Sequence, residues 1–426
     1  MTLRRVLLGV AAVLVLLAAL VVWLNVRGED PIPESSAAFA PTVEQVKRGE
    51  YLARAGNCIA CHTARGSAPY SGGLPVRTPF GTVMSTNITP DRKTGIGSWT
   101  PAHFWRALHN GRSKDGRLLY PAFPYPNYTF VTREDSDAIF AYLMSMPAVE
   151  KLNRPHALRF PYNSQAALAV WRALFFEPER YTPDPAKPAE WNRGAYLVHG
   201  LGHCVACHGP RNAFGATEDK LELSGGLIPM QGWYAPALTS ISEAGVADWE
   251  TKHVVDLLKA GVSPRGSVMG PMAEVVFRST QYLSDADLAA MAVFLKALPQ
   301  AAPAPTDDSP AVPDALRTAG EKLYRDHCAG CHGDAGEGAA GAYPALAGNR
   351  AVTMAVPANL IRVVLSGGYL PATAGNPRPY GMPPFAHVLD DAAVAAVVSY
   401  IRSAWGNRAG PVSQLQVMRS RAGEGE

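Results

Sequence analysis

All six cysteines of this chain fall in one pattern written three times. They read "CIACH" at Cys58, Cys61 and His62, "CVACH" at Cys204, Cys207 and His208, and "CAGCH" at Cys328, Cys331 and His332. No cysteine is left over. C-x-x-C-H is the covalent attachment sequence of c-type haem, in which two thiols add to the vinyl groups and the next residue, a histidine, is set beneath the iron as its proximal ligand. Structural zinc would need four ligands near one another, and pairing two of the motifs would strand the third. A thioredoxin-like redox pair predicts neither a histidine directly after the second cysteine three times over nor a chain without a βαβ pattern. The pattern therefore points to three covalent haems.

The surroundings repeat as well. Upstream stand "VKRGEYLARAGNCIACH", "WNRGAYLVHGLGHCVACH" and "ALRTAGEKLYRDHCAGCHG", each a short helix with a Gly-x-x-Leu or Gly-x-x-Tyr rhythm. Downstream each unit closes on an amphipathic helix, "REDSDAIFAYLMSMP", "SDADLAAMAVFLKALP" and "DDAAVAAVVSYIRSAWG", opened by acidic or hydroxyl residues. The chain is expected to be mainly α, with units at 44–150, 190–300 and 314–407. A linker, 151–189, carries a short helix around Ala166–Phe176, a Pro/Ala-rich tether fills 301–313, and a tail runs from 408 to 426. In that tail Val412, Leu415 and Val417 form a semi-apolar run that either docks or is disordered. The 39 glycines and 36 prolines fit short elements joined by many loops.

A c-type iron takes its second axial ligand from a loop ahead of the last helix of its domain, and methionine there raises the potential. Met272 and Met382 hold that place in the second and third units, with Met269 as the rival for the second. The first unit has Phe123 instead, 61 residues after His62, against 64 for Met272 after His208 and 50 for Met382 after His332. Phenylalanine cannot bind iron. A substitute ligand, an open sixth position, or a shifted register of the repeat would each account for it. Met84, in the polar, Gly-rich loop "PFGTVMSTNITPD", is the best-placed substitute; His103 and His109 are outside candidates, and Met144 and Met146 read as core or helix end. An open iron would admit peroxide chemistry, but no distal acid–base pair is recognisable. Arg112 and Arg117 suit haem propionates equally well.

The stretches "TPFGTVMSTNITPDRKTGIGSWTPAHFWRALHNGRSKDGRLLYPAFPY", "GPMAEVVFRSTQYLSDADLAAMAVFLKALP" and "YGMPPFAHVLDDAAVAAVVSYIRSAWGN" resemble the membrane-bound three-haem cytochrome c subunit of bacterial alcohol, aldehyde and related dehydrogenases. The resemblance covers the chain after residue 44. It implies three tandem class I-like cytochrome c domains behind an N-terminal hydrophobic helix. It also implies an electron relay, not a catalyst by itself, fed by a catalytic dehydrogenase subunit and emptied into ubiquinone or another respiratory acceptor. Met272 and Met382 match the family's ligands, as do the three Cys-Cys-His sets. That family typically reads Tyr-Pro-Ala-Met-Pro-Tyr where this chain has Phe123, so the ligation of the first haem departs from it. The alternatives are a membrane-tethered multihaem carrier serving a terminal oxidase without a dehydrogenase partner, and a haem peroxidase using an open first iron.

The chain shows no dinucleotide fingerprint, phosphate loop or nucleophile elbow, so no second cofactor is visible. Arg4 and Arg5 precede an uncharged run from Val6 to Leu24, close to the minimum for a bilayer span, with no clear Ala-x-Ala cleavage site. Residues 1–26 are expected to anchor the chain in the inner membrane or act as its export signal, with the haem domains in the periplasm. The formal charge of +3 contains no Lys/Arg block that would suggest nucleic acid.

Overall fold

The computed structural model describes residues 3–33, 39–217, 221–301 and 310–422. Residues 302–309 of the expected tether, 1–2 of the N-terminal segment and 423–426 of the tail lie outside the described residues.

One helix pair recurs three times among the described residues. Val43–Ala55 packs on Arg133–Ser145, Ala189–Tyr196 on Asp285–Lys296, and Asp314–His327 on Asp391–Ser403. The closing helix starts in the same way each time. Thr132, Ser284 and Asp390 sit at its N-cap, and their side chains accept the backbone N–H of Asp135, Asp287 and Ala393.

The crossing of each pair is set by glycine. A Cβ on Gly49 would stand 1.8 Å from the Ala138 carbonyl oxygen, one on Gly194 2.0 Å from that of Ala290, and one on Gly320 2.2 Å from that of Ala396. Glycine inside a helix costs about 1 kcal/mol against alanine; here it lets two backbones touch, and the next turn buries Leu52, Leu197 and Tyr324. In the first two pairs the residue before the glycine is an arginine bonded to the closing helix, Arg48 to Asp135 at 2.9 Å and Arg193 to Asp287 at 2.7 Å. The third pair has Ala319 and Ala393 at these positions and makes no such bridge.

The chain forms two compact units, Met1–Pro183 with His199–Ala206 and Arg211–Lys220, and Asp184–Val198 with Cys207–Pro210 and Leu221–Glu426. In the first, strands Pro75–Thr78, Gly81–Met84 and Ala157–Leu158 form an antiparallel sheet with Gly81–Met84 central. The linker helix spans Gln165–Phe175. Ahead of everything stands Leu3–Val26, 24 residues, about 36 Å long at 1.5 Å per residue and apolar enough to cross a membrane.

In the second unit a hairpin pairs Gly226–Ile228 with Trp233–Ala235. A core around Tyr324, Ile361, Leu365, Val394 and Val398 fills the third repeat. The tail, left open by the sequence, docks there. It forms the helix Gln414–Ala422, buries Val412 and Val417, and sends Arg421 to the Asp391 carboxylate and the carbonyls of Ala386 and Leu389.

Candidate functional site

Each Cys-x-x-Cys-His lies on a single helical turn, Cys58–His62, Val205–His208 and Ala329–His332. Asn57 and His203, ahead of the first two, take left-handed backbone conformations with φ of 50° and 36°. This breaks the opening helix so that a new turn can begin at the cysteines. No disulfide joins any of the six thiols. Burial, with Cys61 alongside, pushes the Cys58 thiol up to about 12, and the same two causes push Cys328 up to about 11 through Cys331.

The three histidines share one contact that the sequence did not foretell. Nδ1 of His62 lies 2.7 Å from the Thr86 carbonyl oxygen, that of His208 2.7 Å from Pro236, and that of His332 3.0 Å from Pro344. A carbonyl can only accept, so the proton sits on Nδ1 and the lone pair is left on Nε2, the form that binds metal. Such a bond fixes ring orientation and raises ligand basicity. Burial lowers the proton affinity of His62 and His208, against the pull of their carbonyl partners, so both rings stay neutral. The accepting carbonyls belong to the backbone of Thr86, Pro236 and Pro344, which is why side-chain pattern gave no sign of them. Arg362 is a further group the sequence reading missed: its buried Nε and Nη1 find no partner among the described residues, and its guanidinium lies 5.5 Å from the Trp233 ring centroid. A haem carboxylate would satisfy it. Among the described residues no three His, Cys, Asp or Glu side chains converge as a metal cluster would need.

The expected sixth ligands are placed as follows. Met382 forms a two-residue strand with Gly381, paired to Gly368–Tyr369, and packs against the same core as Cys328. Met272 opens the helix Pro271–Arg278 and is half-buried. Its rival Met269 turns its methyl toward Gly368, 3.6 Å from where a Cβ there would be.

In the first repeat Phe123 packs on Tyr128, ring centroids 5.3 Å apart. Tyr128 itself is buried beside Cys58 and Cys61, which together with burial push its phenol well up, and its hydroxyl donates to the Gly56 carbonyl at 3.0 Å. Phe123 thus stands close to the first attachment turn. Met84 ends the central strand of the sheet, and its backbone N–H donates to His156 Nδ1 at 3.1 Å. Two residues on, Thr86 holds His62 from its Nδ1 side, so the strand carrying Met84 leads to the side of the imidazole that faces away from an iron on Nε2. Tyr234, two residues before Pro236, is its counterpart in the second repeat.

The outside candidates have structural work. His103 closes a capping box with Thr100. His109 stacks on Trp105 at 4.4 Å, with Nδ1 2.9 Å from the Thr129 carbonyl. Arg112 and Arg117, suggested for propionates, pair instead with Glu29 and Asp115.

The cytochrome c family model matches residues 46–147 and 318–405. The cytochrome c subunit of a quinone alcohol dehydrogenase from Gluconacetobacter polyoxogenes is 38% identical over 393 residues, covering 88% of this chain and 84% of that protein. The gluconate 2-dehydrogenase cytochrome c subunit of Pantoea cypripedii is 40% identical, covering 85% of this chain and 86% of its own. The fructose dehydrogenase cytochrome subunit of Gluconobacter japonicus is 34% identical, covering 94% and 86%.

Proposed function

Because this chain belongs to the cytochrome c subunits of membrane-associated dehydrogenase complexes, we propose that it relays electrons from a catalytic dehydrogenase partner to ubiquinone or another respiratory acceptor through three covalently bound c-type haems. The observation that carries this reading is the threefold Cys-x-x-Cys-His turn in which a backbone carbonyl holds the histidine proton on Nδ1. The haems supply one-electron chemistry at iron.

The chain supplies the rest. Cys58 and Cys61, Cys204 and Cys207, and Cys328 and Cys331 hold the three groups by thioether bonds, and His62, His208 and His332, with Nδ1 turned to a carbonyl, present Nε2 as the proximal ligand atom. Met272 and Met382 complete the second and third sites. At the first site our reading places no methionine, since Met84 belongs to the strand that leads behind His62. Arg362, whose Nε and Nη1 are buried, would balance a haem carboxylate. The N-terminal segment, as anchor or export signal, directs the chain to the inner membrane, with Arg4 and Arg5 on the cytoplasmic side and the haem domains in the periplasm.

Intact-mass analysis of the exported protein tests the haem count: three adducts are expected, and zero or one sinks the reading. Purification from membranes tests the partner. A large catalytic subunit should accompany the chain stably; a chain that instead travels with a terminal oxidase overturns the dehydrogenase relay.

A further inference from the structure

The helix Gln165–Phe175, "QAALAVWRALF", is inside out for a surface helix in water, which turns its apolar stripe inward and its charges outward. Its one charged residue, Arg172, is 2% exposed, while Val170 and Leu174 are 48% and 68% exposed. With exposed Ala166 they form an uncharged i, i+4, i+8 stripe. The stripe continues: Trp171 Nε1 donates to the Phe214 carbonyl at 2.9 Å, and Phe214, 57% exposed, packs 5.8 Å from Phe175. Phe80 then meets Gly215 on one side and Tyr162 on the other.

Arg172 points inward because the end of Leu3–Val26 meets it there. Its Nε donates to Asn25 Oδ1 at 2.8 Å, and the Tyr125 and Phe176 rings flank it at 5.1 and 4.7 Å. Asn25 in turn donates from Nδ2 to the Ala169 carbonyl at 2.9 Å, and its own carbonyl accepts from Arg112 Nη2 at 3.1 Å. Just beyond, Glu29 bridges Arg106 and Arg112, both at 3.2 Å. Loss of Leu3–Val26 would strip buried Arg172 of its Asn25 Oδ1 acceptor and Arg112 of the Asn25 carbonyl, contacts that a cleavable leader has no need to make.

We propose that Leu3–Val26 is a membrane span retained in the mature protein, and that the Ala166–Val170–Leu174 stripe, continued by Phe214 and Tyr162, rests on the phospholipid surface beside it. The occupant follows from continuity: the Ala169 carbonyl that receives Asn25 belongs to the same helix as the stripe, so the span delivers the bilayer boundary to this face. An uncharged helix face in that position is satisfied by the headgroup–acyl boundary, as for other interfacial helices. The inference goes beyond the electron relay and holds whatever the haem count.

The test uses the unmodified full-length holoprotein, first by intact mass from isolated membranes and then in phosphatidylethanolamine–phosphatidylglycerol vesicles carrying a photoactivatable phospholipid. The expected results are a chain that keeps residues 3–26 and lipid adducts on the peptide covering 160–175 as well as on the span. A mature chain beginning after Val26 overturns the retention. Adducts confined to residues 3–26, or protein cross-links from a catalytic subunit in place of lipid on 160–175, overturn the lipid contact.

Discussion

At the scale of single residues, the decisive pair is Phe123 and Met84. Phe123 is packed on Tyr128 beside the first cysteines, and Met84 lies on a strand that leads behind the histidine. Low-temperature electron paramagnetic resonance of the oxidised protein should therefore show one high-spin signal, unchanged in Met84→Ala and converted to low spin in Phe123→Met. Conversion by Met84→Ala of a low-spin signal to high spin would instead put Met84 on the iron. His109 gives a second expectation. Burial lowers its proton affinity despite the bond to the Thr129 carbonyl, so the unfolded chain binds its proton more readily. Its share of stability is present above the ordinary histidine pKa of about 6.5 and is lost as pH falls below that value. Denaturation midpoints at pH 7 and pH 5 should differ less in His109→Asn than in the native protein; an equal or larger difference would contradict this origin.

At the scale of elements, the three helix crossings rest on hydrogen in place of a side chain. Gly320→Ala would drive a methyl group against the Ala396 carbonyl, with an expected loss on the order of 1–3 kcal/mol as the helices are forced apart. Gly330→Ala is the matched control, because a Cβ there meets nothing within 4 Å and Ala60 and Ala206 already stand at that motif position. Urea titration of the holoprotein checks both; equal midpoints would show that the third crossing tolerates a side chain. The caps and the Gly-x-x-Leu/Tyr rhythm were legible in the sequence because both are local. The crossing partner of each glycine was not, since a backbone carbonyl far along the chain has no letter of its own.

At the scale of the whole molecule, each repeat builds its helices around an attachment turn whose histidine is tied back to a distant carbonyl. A chain made without haem attachment should lose much of its helical circular-dichroism signal and become sensitive to protease; a fully helical, resistant apo-chain would mean the helix pairs suffice by themselves. The sequence by itself determined the attachment chemistry, the number of motifs, the helical repeat and the apolar N-terminal run, because covalent reactivity, helix capping and hydropathy depend on residue type and short spacing. Only the tertiary structure decided which ring nitrogen of each histidine meets a carbonyl and that Arg172 reaches across 147 positions to Asn25. These depend on carbonyl directions and on elements meeting through space, where residue type alone exerts no preference.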